Sequence, residues 1–124
     1  MSEIEFLNID LDIESHHNID SIVAEWGSRV SVQRLDEADG VFHGSFETGC
    51  IGINEIIQEY HTLVMSLSTA SKRLWDEAGK KQIDVGFQCG SSPNSFHEFI
   101  STDSVAKLAE IGVCMTLTLY PDME

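Results

Sequence analysis

Residues 7 to 13 alternate strictly between apolar and polar side chains. The apolar positions are Leu7, Ile9, Leu11 and Ile13, and the intervening or following polar positions are Asn8, Asp10, Asp12 and Glu14. A period of two predicts a strand with one buried side and one solvent-facing side. Because Ile4 and Phe6 fall on the opposite parity, we expect a bulge or a bend near Phe6.

The C-terminal segment has the same pattern. Its apolar positions are Val113, Met115, Leu117 and Leu119, and its other positions are Cys114, Thr116, Thr118 and Tyr120. Two strands that are each apolar on one side predict a single sheet covered by helices on one face only. In this plan the two terminal strands can pair in the middle of the sheet, although the sequence does not fix the strand order, and we expect the helices to rest on the apolar positions of both.

The other predicted elements lie between these two strands. They are a helix over 18–26, strands over 30–35 and 41–48 joined by a turn over 36–40, a long helix over 54–78 with a break near 66–71, strands over 83–89 and 96–100, and a helix from 102 to Gly112. Asn18, Asn54 and either Ser101 or Thr102 are the expected helix caps. The order β-α-β-β-α-β followed by α-β predicts an α+β fold, a ferredoxin-like two-layer sandwich with a mainly antiparallel sheet and helices on one face.

The length supports one domain over residues 1–124. A chain of 124 residues with 42% hydrophobic content buries a core large enough to fold without disulfides or a metal. Three cysteines without close spacing are typical of reduced thiols, and the acidic start Met-Ser-Glu-Ile-Glu is unlike a signal peptide. We therefore expect a cytoplasmic protein.

The charge balance is strongly negative. Twenty-one acidic residues against seven Lys and Arg give a net charge of −14. The excess is concentrated in residues 1–66, where 13 acids and two bases give −11. Because such a surface repels phosphates, nucleic acid and anionic membranes are poor partners. A basic protein is the expected partner, although a solubilising role explains the same excess.

Two acidic clusters are the candidate partner-binding residues. The first consists of Asp10, Asp12 and Glu14 on the first strand, and the second consists of Asp36, Glu37 and Asp39 at the predicted hairpin turn. Asp10 and Asp12 point to the same side of their strand, a spacing that could hold a cation or serve acid–base chemistry. An open sheet face neither excludes water nor perturbs a pKa strongly, so a solvated surface is the favoured interpretation.

No motif for catalysis, nucleotide binding or metal binding occurs in the chain. Its five histidines and three cysteines lack the spacings of zinc sites, and its glycines form no phosphate-binding loop. The sequence thus predicts a protein that is not an enzyme and needs no cofactor or metal.

Two alternatives remain open. One is a small-ligand- or metal-dependent enzyme that uses a cavity between the long helix and the sheet, with His61, His43 or Cys89 at its mouth. The other is a homo-oligomeric structural module, joined through the open sheet face or through an exposed edge strand. The sequence does not distinguish a monomer from a dimer.

Three segments carry a resemblance to a family. They are the capped helix with its Ile-Gly end over 102–113, the closing strand Leu117-Thr118-Leu119-Tyr120, and the first helix ending in Glu25-Trp26-Gly27. Together they resemble small bacterial ferredoxin-like domains of unknown function, which include immunity proteins of toxin–immunity systems such as contact-dependent growth inhibition. The resemblance implies an immunity protein that neutralises a cognate toxin, expected to be a basic nuclease, by protein–protein contact. It implies no catalytic residues.

Overall fold

The computed structural model describes residues 4–90 and 95–121, which contain five strands and four α-helices. The strands are β1 (Glu5–Ser15), β2 (Ser31–Ala38), β3 (Val41–Glu47), β4 (Lys80–Gln88) and β5 (Cys114–Tyr120). The helices are α1 (Asp20–Trp26), α2 (Ile53–Met65), α3 (Thr69–Glu77) and α4 (Thr102–Glu110), and a short 3-10 turn over Gly27–Arg29 follows α1. Residues 96–100, which were predicted as a strand, contain none.

The five strands form one sheet in the order β2-β3-β1-β4-β5. All neighbouring strands are antiparallel except β4 and β5, which are parallel. The predicted α+β class with a mainly antiparallel sheet is confirmed. The central pairing of the terminal strands does not occur, because β5 lies at the edge, beside β4. The chain between these strands runs through α4, so β5 can enter the sheet in the same direction as β4.

Local details of the strands follow the sequence pattern. The β1–β4 register shifts between Phe6 and Asn8, which confirms the bulge expected near Phe6. The predicted turn over 36–40 is shorter than expected, because Asp36 and Glu37 belong to β2. Only Asp39 and Gly40 connect β2 to β3, and both have positive φ, as in a type I′ hairpin turn.

The core lies between the helices and one face of the sheet. Alternate strand residues such as Leu11, Phe46 and Ile83 are fully buried there. The large aromatic residues of the helices satisfy their polar atoms within this core. The hydrogen bonds run from Trp26 Nε1 to the Leu63 carbonyl (3.0 Å), from Trp75 Nε1 to the Ile111 carbonyl (2.9 Å) and from the Tyr60 hydroxyl to the Phe46 carbonyl (3.0 Å). The first two bonds therefore join helices to one another, and the bond from Tyr60 joins α2 to β3 of the sheet.

The helices cover less of the sheet than the alternation predicts. Leu7 is 48% exposed, and Leu117 and Leu119 are each 61% exposed. The expectation that these three leucines support the helices is therefore wrong. Leu7 lies within the bulge of β1, and β5 is the outermost strand, of which only Met115 packs against the core.

The predicted long helix is two helices, as the weak helix formers near 66–71 indicate. Helix α2 ends at Met65, and the Ser68 side chain caps α3 by accepting a hydrogen bond from Ser71 N (3.2 Å). Asn54 does not cap α2, because Gly52 occupies the capping position. Asn18 accepts a bond from Asp20 N (2.7 Å) at the start of α1, one residue before the capping position. Ser101, one of the two expected caps, caps α4 by accepting a bond from Ser104 N.

Candidate functional site

The side of the sheet away from the core carries a row of carboxylates. We call this row the acidic face, and its members are Asp10, Asp12 and Glu14 of β1, Glu47 of β3 and Asp84 of β4. Alternation in β1 places its three members on the side opposite the buried Leu11. The strand register sets Asp84 directly opposite Asp10. The acidic face therefore crosses the three central strands of the sheet.

Uncharged donors hold these carboxylates in place. The Asn8 amide donates to Glu47 Oε1 (3.0 Å), the Ser45 hydroxyl to Asp12 Oδ1 (2.8 Å) and the Thr118 hydroxyl to Asp84 Oδ1 (2.6 Å). Such bonds orient a carboxylate without cancelling its charge. Within residues 4–90 and 95–121, no Lys, Arg or His forms an ion pair with Asp10, Asp12, Glu47 or Asp84.

Asp10 is the most perturbed group of the acidic face. Burial, followed by a hydrogen bond with Glu47 and the negative charges of Glu47, Asp12 and Asp84, raises the pKa of its carboxyl group to about 7. Its Oδ1 atom is buried and has no hydrogen-bond partner among the described residues. Asp10 therefore keeps its proton up to about pH 7, mainly because burial disfavours its charged form and also because the neighbouring carboxylates repel it.

Among the described residues, basic side chains lie near the acidic face at one end only. His43 Nδ1 lies 3.2 Å from Glu14 Oε1, and Arg34 Nε lies 2.8 Å from Asp36 Oδ2. Lys80 is opposite Glu14 in the register of β1 and β4. The central part of the face thus remains negative, whereas the end near Glu14 is mixed in charge.

The structure brings only part of the predicted partner-binding set together. Asp10, Asp12 and Glu14 lie side by side on the acidic face. Asp36 points to the same side but is paired with Arg34, which lowers the pKa of the Asp36 carboxyl group. Glu37 is opposite Phe42 and so points to the other side of the sheet, and Asp39 is in the hairpin turn. The two predicted acidic clusters therefore do not form one surface.

Two members of the acidic face were not predicted. Asp84 lies between the apolar residues Ile83 and Val85, and Glu47 follows Phe46 on the same parity as the polar His43 and Ser45, which marks both acids as solvent-facing. That signal was available in the sequence. Their proximity to Asp10 depends on which strands flank β1, and alternation alone carries no information on strand neighbours.

The residues of the enzyme alternative do not converge. His43 lies on the open side of the sheet, whereas His61 lies on α2, on the opposite side. His61 Nε2 lies 3.3 Å from Glu110 Oε1 but has no well-oriented hydrogen bond. The predicted cavity between the long helix and the sheet is filled by Ile57, Tyr60 and Leu63, which are fully buried. Cys89 follows the last residue of β4, and its backbone bonds to β5.

Small recesses exist at the borders of the acidic face. A cleft of about 330 Å³ lies beside Asn8, Glu47 and Cys50, and a shallow groove of about 190 Å³ lies between Glu14, Arg34 and Lys80. Typical small-molecule sites are concave cavities of about 300–1,000 Å³ that enclose most of the ligand. Among the described residues, no three His, Cys, Asp or Glu side chains are grouped so as to hold a metal ion.

Comparison of the chain with protein-family models, with curated proteins and with solved structures finds no significant match. The functional argument therefore depends on the surface itself. In the described part of the chain, no helix has the length and apolar character needed to cross a membrane.

Proposed function

We propose that this protein is a non-enzymatic binding protein whose acidic face captures a basic surface of another protein. The single observation that carries the proposal is the cluster of Asp10, Asp12, Glu47 and Asp84, which has no cationic partner in residues 4–90 and 95–121. A cluster of this kind costs folding free energy, because each carboxylate raises the energy of its neighbours. A basic partner would remove that cost on binding.

Rigidity favours docking over simple solubility. Charges that only keep a protein soluble need no fixed orientation, and most lie on mobile exposed side chains. Here Asp12, Glu47 and Asp84 are half-buried, and each accepts a hydrogen bond from an uncharged neighbour. They also lie on β1, β3 and β4, and the hydrogen-bonded strand on each side restrains the backbone of these three strands. A fixed pattern of charge of this kind provides specificity and rapid association.

The shape of the surface favours a protein as partner. The acidic face spans three adjacent strands of an open sheet, and its recesses lie at its borders. A small ligand on such a face would keep much of its surface in water. A folded partner with several Arg or Lys residues could contact all five carboxylates at once, in the way that charged interfaces do.

We further propose that the fold is ferredoxin-like and that the partner is a cognate toxin, with a basic nuclease domain as the expected type. The order β4-β1-β3-β2 with antiparallel pairs supports the ferredoxin-like assignment, and β5 is an addition to it. The resemblance to immunity proteins supports the toxin. A nuclease carries positive charge to bind its phosphate substrate, so an acidic face can occupy that surface in place of nucleic acid.

The neighbouring gene provides the partner for the test. The proposal expects a long secreted protein with a variable C-terminal domain to be encoded directly upstream. That domain is mixed with the protein, and the association rate is measured as the salt concentration is raised. The rate should fall steeply, because salt screens exposed charges over about 8 Å at physiological ionic strength.

Two variants with equal net charge distinguish the effect of where the neutralised acids lie from the effect of the total charge. The first neutralises the acidic face with Asp10→Asn, Asp12→Asn, Glu47→Gln and Asp84→Asn. The second neutralises four acids elsewhere with Asp20→Asn, Glu55→Gln, Asp76→Asn and Glu98→Gln. We expect the first variant to lose binding and protection against the toxin, and the second to keep most of both. Equal behaviour of the two variants would contradict docking at this face, and turnover of a substrate by the isolated protein would contradict a non-enzymatic role.

A further inference from the structure

The outer edge of β5 has free backbone groups. The Cys89 N–H donates to the Tyr120 carbonyl (2.9 Å), so the peptide groups of Tyr120 point towards β4. Because these groups alternate sides along a strand, those of Met115, Leu117 and Leu119 point away from the sheet. No strand among the described residues pairs with this edge. Such an edge is a template for a further strand.

The sequence of β5 is complementary to itself. In the segment Cys-Met-Thr-Leu-Thr-Leu-Tyr, the two residues nearest to Leu117 on each side match in type. Antiparallel pairing centred on Leu117 places this leucine opposite the same residue of a second copy, Thr116 opposite Thr118, and Met115 opposite Leu119. These apolar and threonine pairs are the kinds that stabilise antiparallel strands. The outward-pointing peptide groups of Met115, Leu117 and Leu119 would all be used in this register.

Charge distinguishes β5 from the other edge strand. Strand β2 carries Arg34, Asp36 and Glu37, and charged residues on an edge oppose pairing with another chain. Strand β5 carries no charged residue. In a chain with a net charge of −14, a neutral edge is the place where two copies can approach with the least repulsion. The exposed Leu117 and Leu119 also provide apolar area to bury at that contact.

We propose that β5 pairs with β5 of a second copy of this chain, antiparallel and centred on Leu117. The two-fold axis then runs perpendicular to the sheet, which continues through both copies. Both layers of helices lie on one side, where the two Leu117 side chains meet. Both acidic faces lie on the other side, so the dimer would present two docking surfaces in the same direction. The dimer does not depend on the identity of any toxin.

Disulfide formation tests the register. In this arrangement the two Leu117 Cα atoms are about 5.5 Å apart, within the range that a disulfide bridges. The two Leu119 Cα atoms are about 14 Å apart, since four residues of strand separate them. Leu117→Cys and Leu119→Cys are matched variants because both residues are 61% exposed on the same strand. Each is made together with Cys114→Ser, which removes the exposed native thiol.

Under mild oxidation, Leu117→Cys should yield a disulfide-linked dimer as its main product, and Leu119→Cys should form almost no intermolecular disulfide. Equal cross-linking of the two variants, or preferential cross-linking of Leu119→Cys, would overturn the proposed register.

Light scattering tests the dimer itself. The wild-type protein should have twice the 13.8 kDa mass of the chain. Leu117→Lys should have the monomer mass, because it places two ammonium groups at the axis. Leu35→Lys on β2 is the control at a 41% exposed edge position, and it should remain dimeric. Circular dichroism verifies that both variants are folded. A wild-type protein that is monomeric up to its solubility limit would overturn the proposal. The edge of β5 would then be expected to pair with a strand of a different protein.

Discussion

Asp10 and Asp84 lie directly opposite each other on β1 and β4, so two carboxylates occupy one cross-strand pair. Like charges in such a pair are destabilising, because the Cβ atoms are only about 4.5–5.5 Å apart. Glu47 adds a third carboxylate beside Asp10. The carboxylates of the acidic face therefore repel one another in the folded protein. Either protonation or binding of a basic partner would reduce this repulsion.

The first prediction concerns this repulsion. The pKa of Asp10 rises from an ordinary value of 3.8 to about 7. Between these values the folded protein holds the proton more tightly than the unfolded chain does. The stability that the Asp10 proton contributes is therefore fully present below pH 4 and is lost as the pH rises through 7. Asp10→Asn should raise the free energy of unfolding at pH 8 by about 1–2 kcal/mol, after allowance for solvent screening of a partly exposed group.

Urea unfolding of the wild type and Asp10→Asn from pH 4 to pH 8 measures this difference, which should shrink towards zero near pH 4. Glu98→Gln is the control, because Glu98 is exposed and lies far along the chain from the strands of the acidic face. A less stable Asp10→Asn protein at pH 8 would contradict the prediction.

The second prediction has the opposite pH dependence. Glu25 of α1 accepts hydrogen bonds from Ser68 N (2.7 Å) and Ser68 Oγ (2.8 Å), and the Ser71 hydroxyl also bonds to it. The bond from Ser71, followed by those from Ser68, lowers the pKa of the Glu25 carboxyl group below 4.5. The stability that it contributes is present above pH 4.5 and is lost as the pH falls through the lowered pKa.

Glu25→Gln should therefore unfold at a lower temperature than the wild type at pH 7, since it removes charge-assisted bonds between α1 and the start of α3. The difference should disappear in strongly acidic solution. Thermal unfolding followed at both pH values measures it, and a gap that stays constant with pH would show that the carboxylate charge is not involved.

The third prediction concerns Asn54, which links α2 to the start of α4. Its Oδ1 accepts bonds from Ser101 N (2.9 Å) and the Ser104 hydroxyl (2.7 Å), and its amide donates to the Phe99 carbonyl (2.8 Å). Asn54→Ala removes all three bonds and should cost about 1–3 kcal/mol. Asn54→Asp keeps the two acceptor bonds, so its loss should be smaller. Chemical denaturation ranks the two variants, and a larger loss in Asn54→Asp would contradict the prediction, because repulsion between the new carboxylate and the Phe99 carbonyl would then outweigh the two retained acceptor bonds.

The fourth prediction concerns space around Gly44 of β3. A Cβ atom at this position would lie 2.8 Å from two ring carbons of Phe46 and 3.0 Å from Ile19 Cδ1. Because Phe46 and Ile19 are fully buried, neither can move away freely. Gly44→Ala should lower the free energy of unfolding by about 1–3 kcal/mol. Gly49→Ala is the matched control, since nothing lies within 4 Å of a Cβ there, and it should have almost no effect.

The extent to which the sequence predicted the fold differs between local and long-range features. The strand at 41–48, the bulge near Phe6, the break near residue 66 and the cap at Ser101 all follow from short windows of sequence, and the structure confirms them. The predicted turn over 36–40 was too long, because Asp36 and Glu37 pair with β3 despite their turn-like composition. Tertiary pairing there outweighs local propensity.

The predicted partner-binding residues show the same difference between local and long-range features. Asp10, Asp12 and Glu14 were assigned to one open side because alternation along a single strand determines which way each side chain points. Asp36, Glu37 and Asp39 were grouped with them only because their charge is similar. The structure separates these three, since Asp36 has its own cation, Glu37 points to the other side and Asp39 is in the turn.

The amino-acid sequence by itself determined which side of β1, β4 and β5 is apolar and that the opposite side of β1 is acidic, because parity along a strand is a local property of the chain. Only the tertiary structure decided that Asp84 faces Asp10, that Glu47 lies beside them and that β5 is at the edge. Strand neighbours depend on contacts between distant residues and on the path of the connecting helices. The same alternating pattern is compatible with a central strand such as β1 and with an exposed edge strand such as β5.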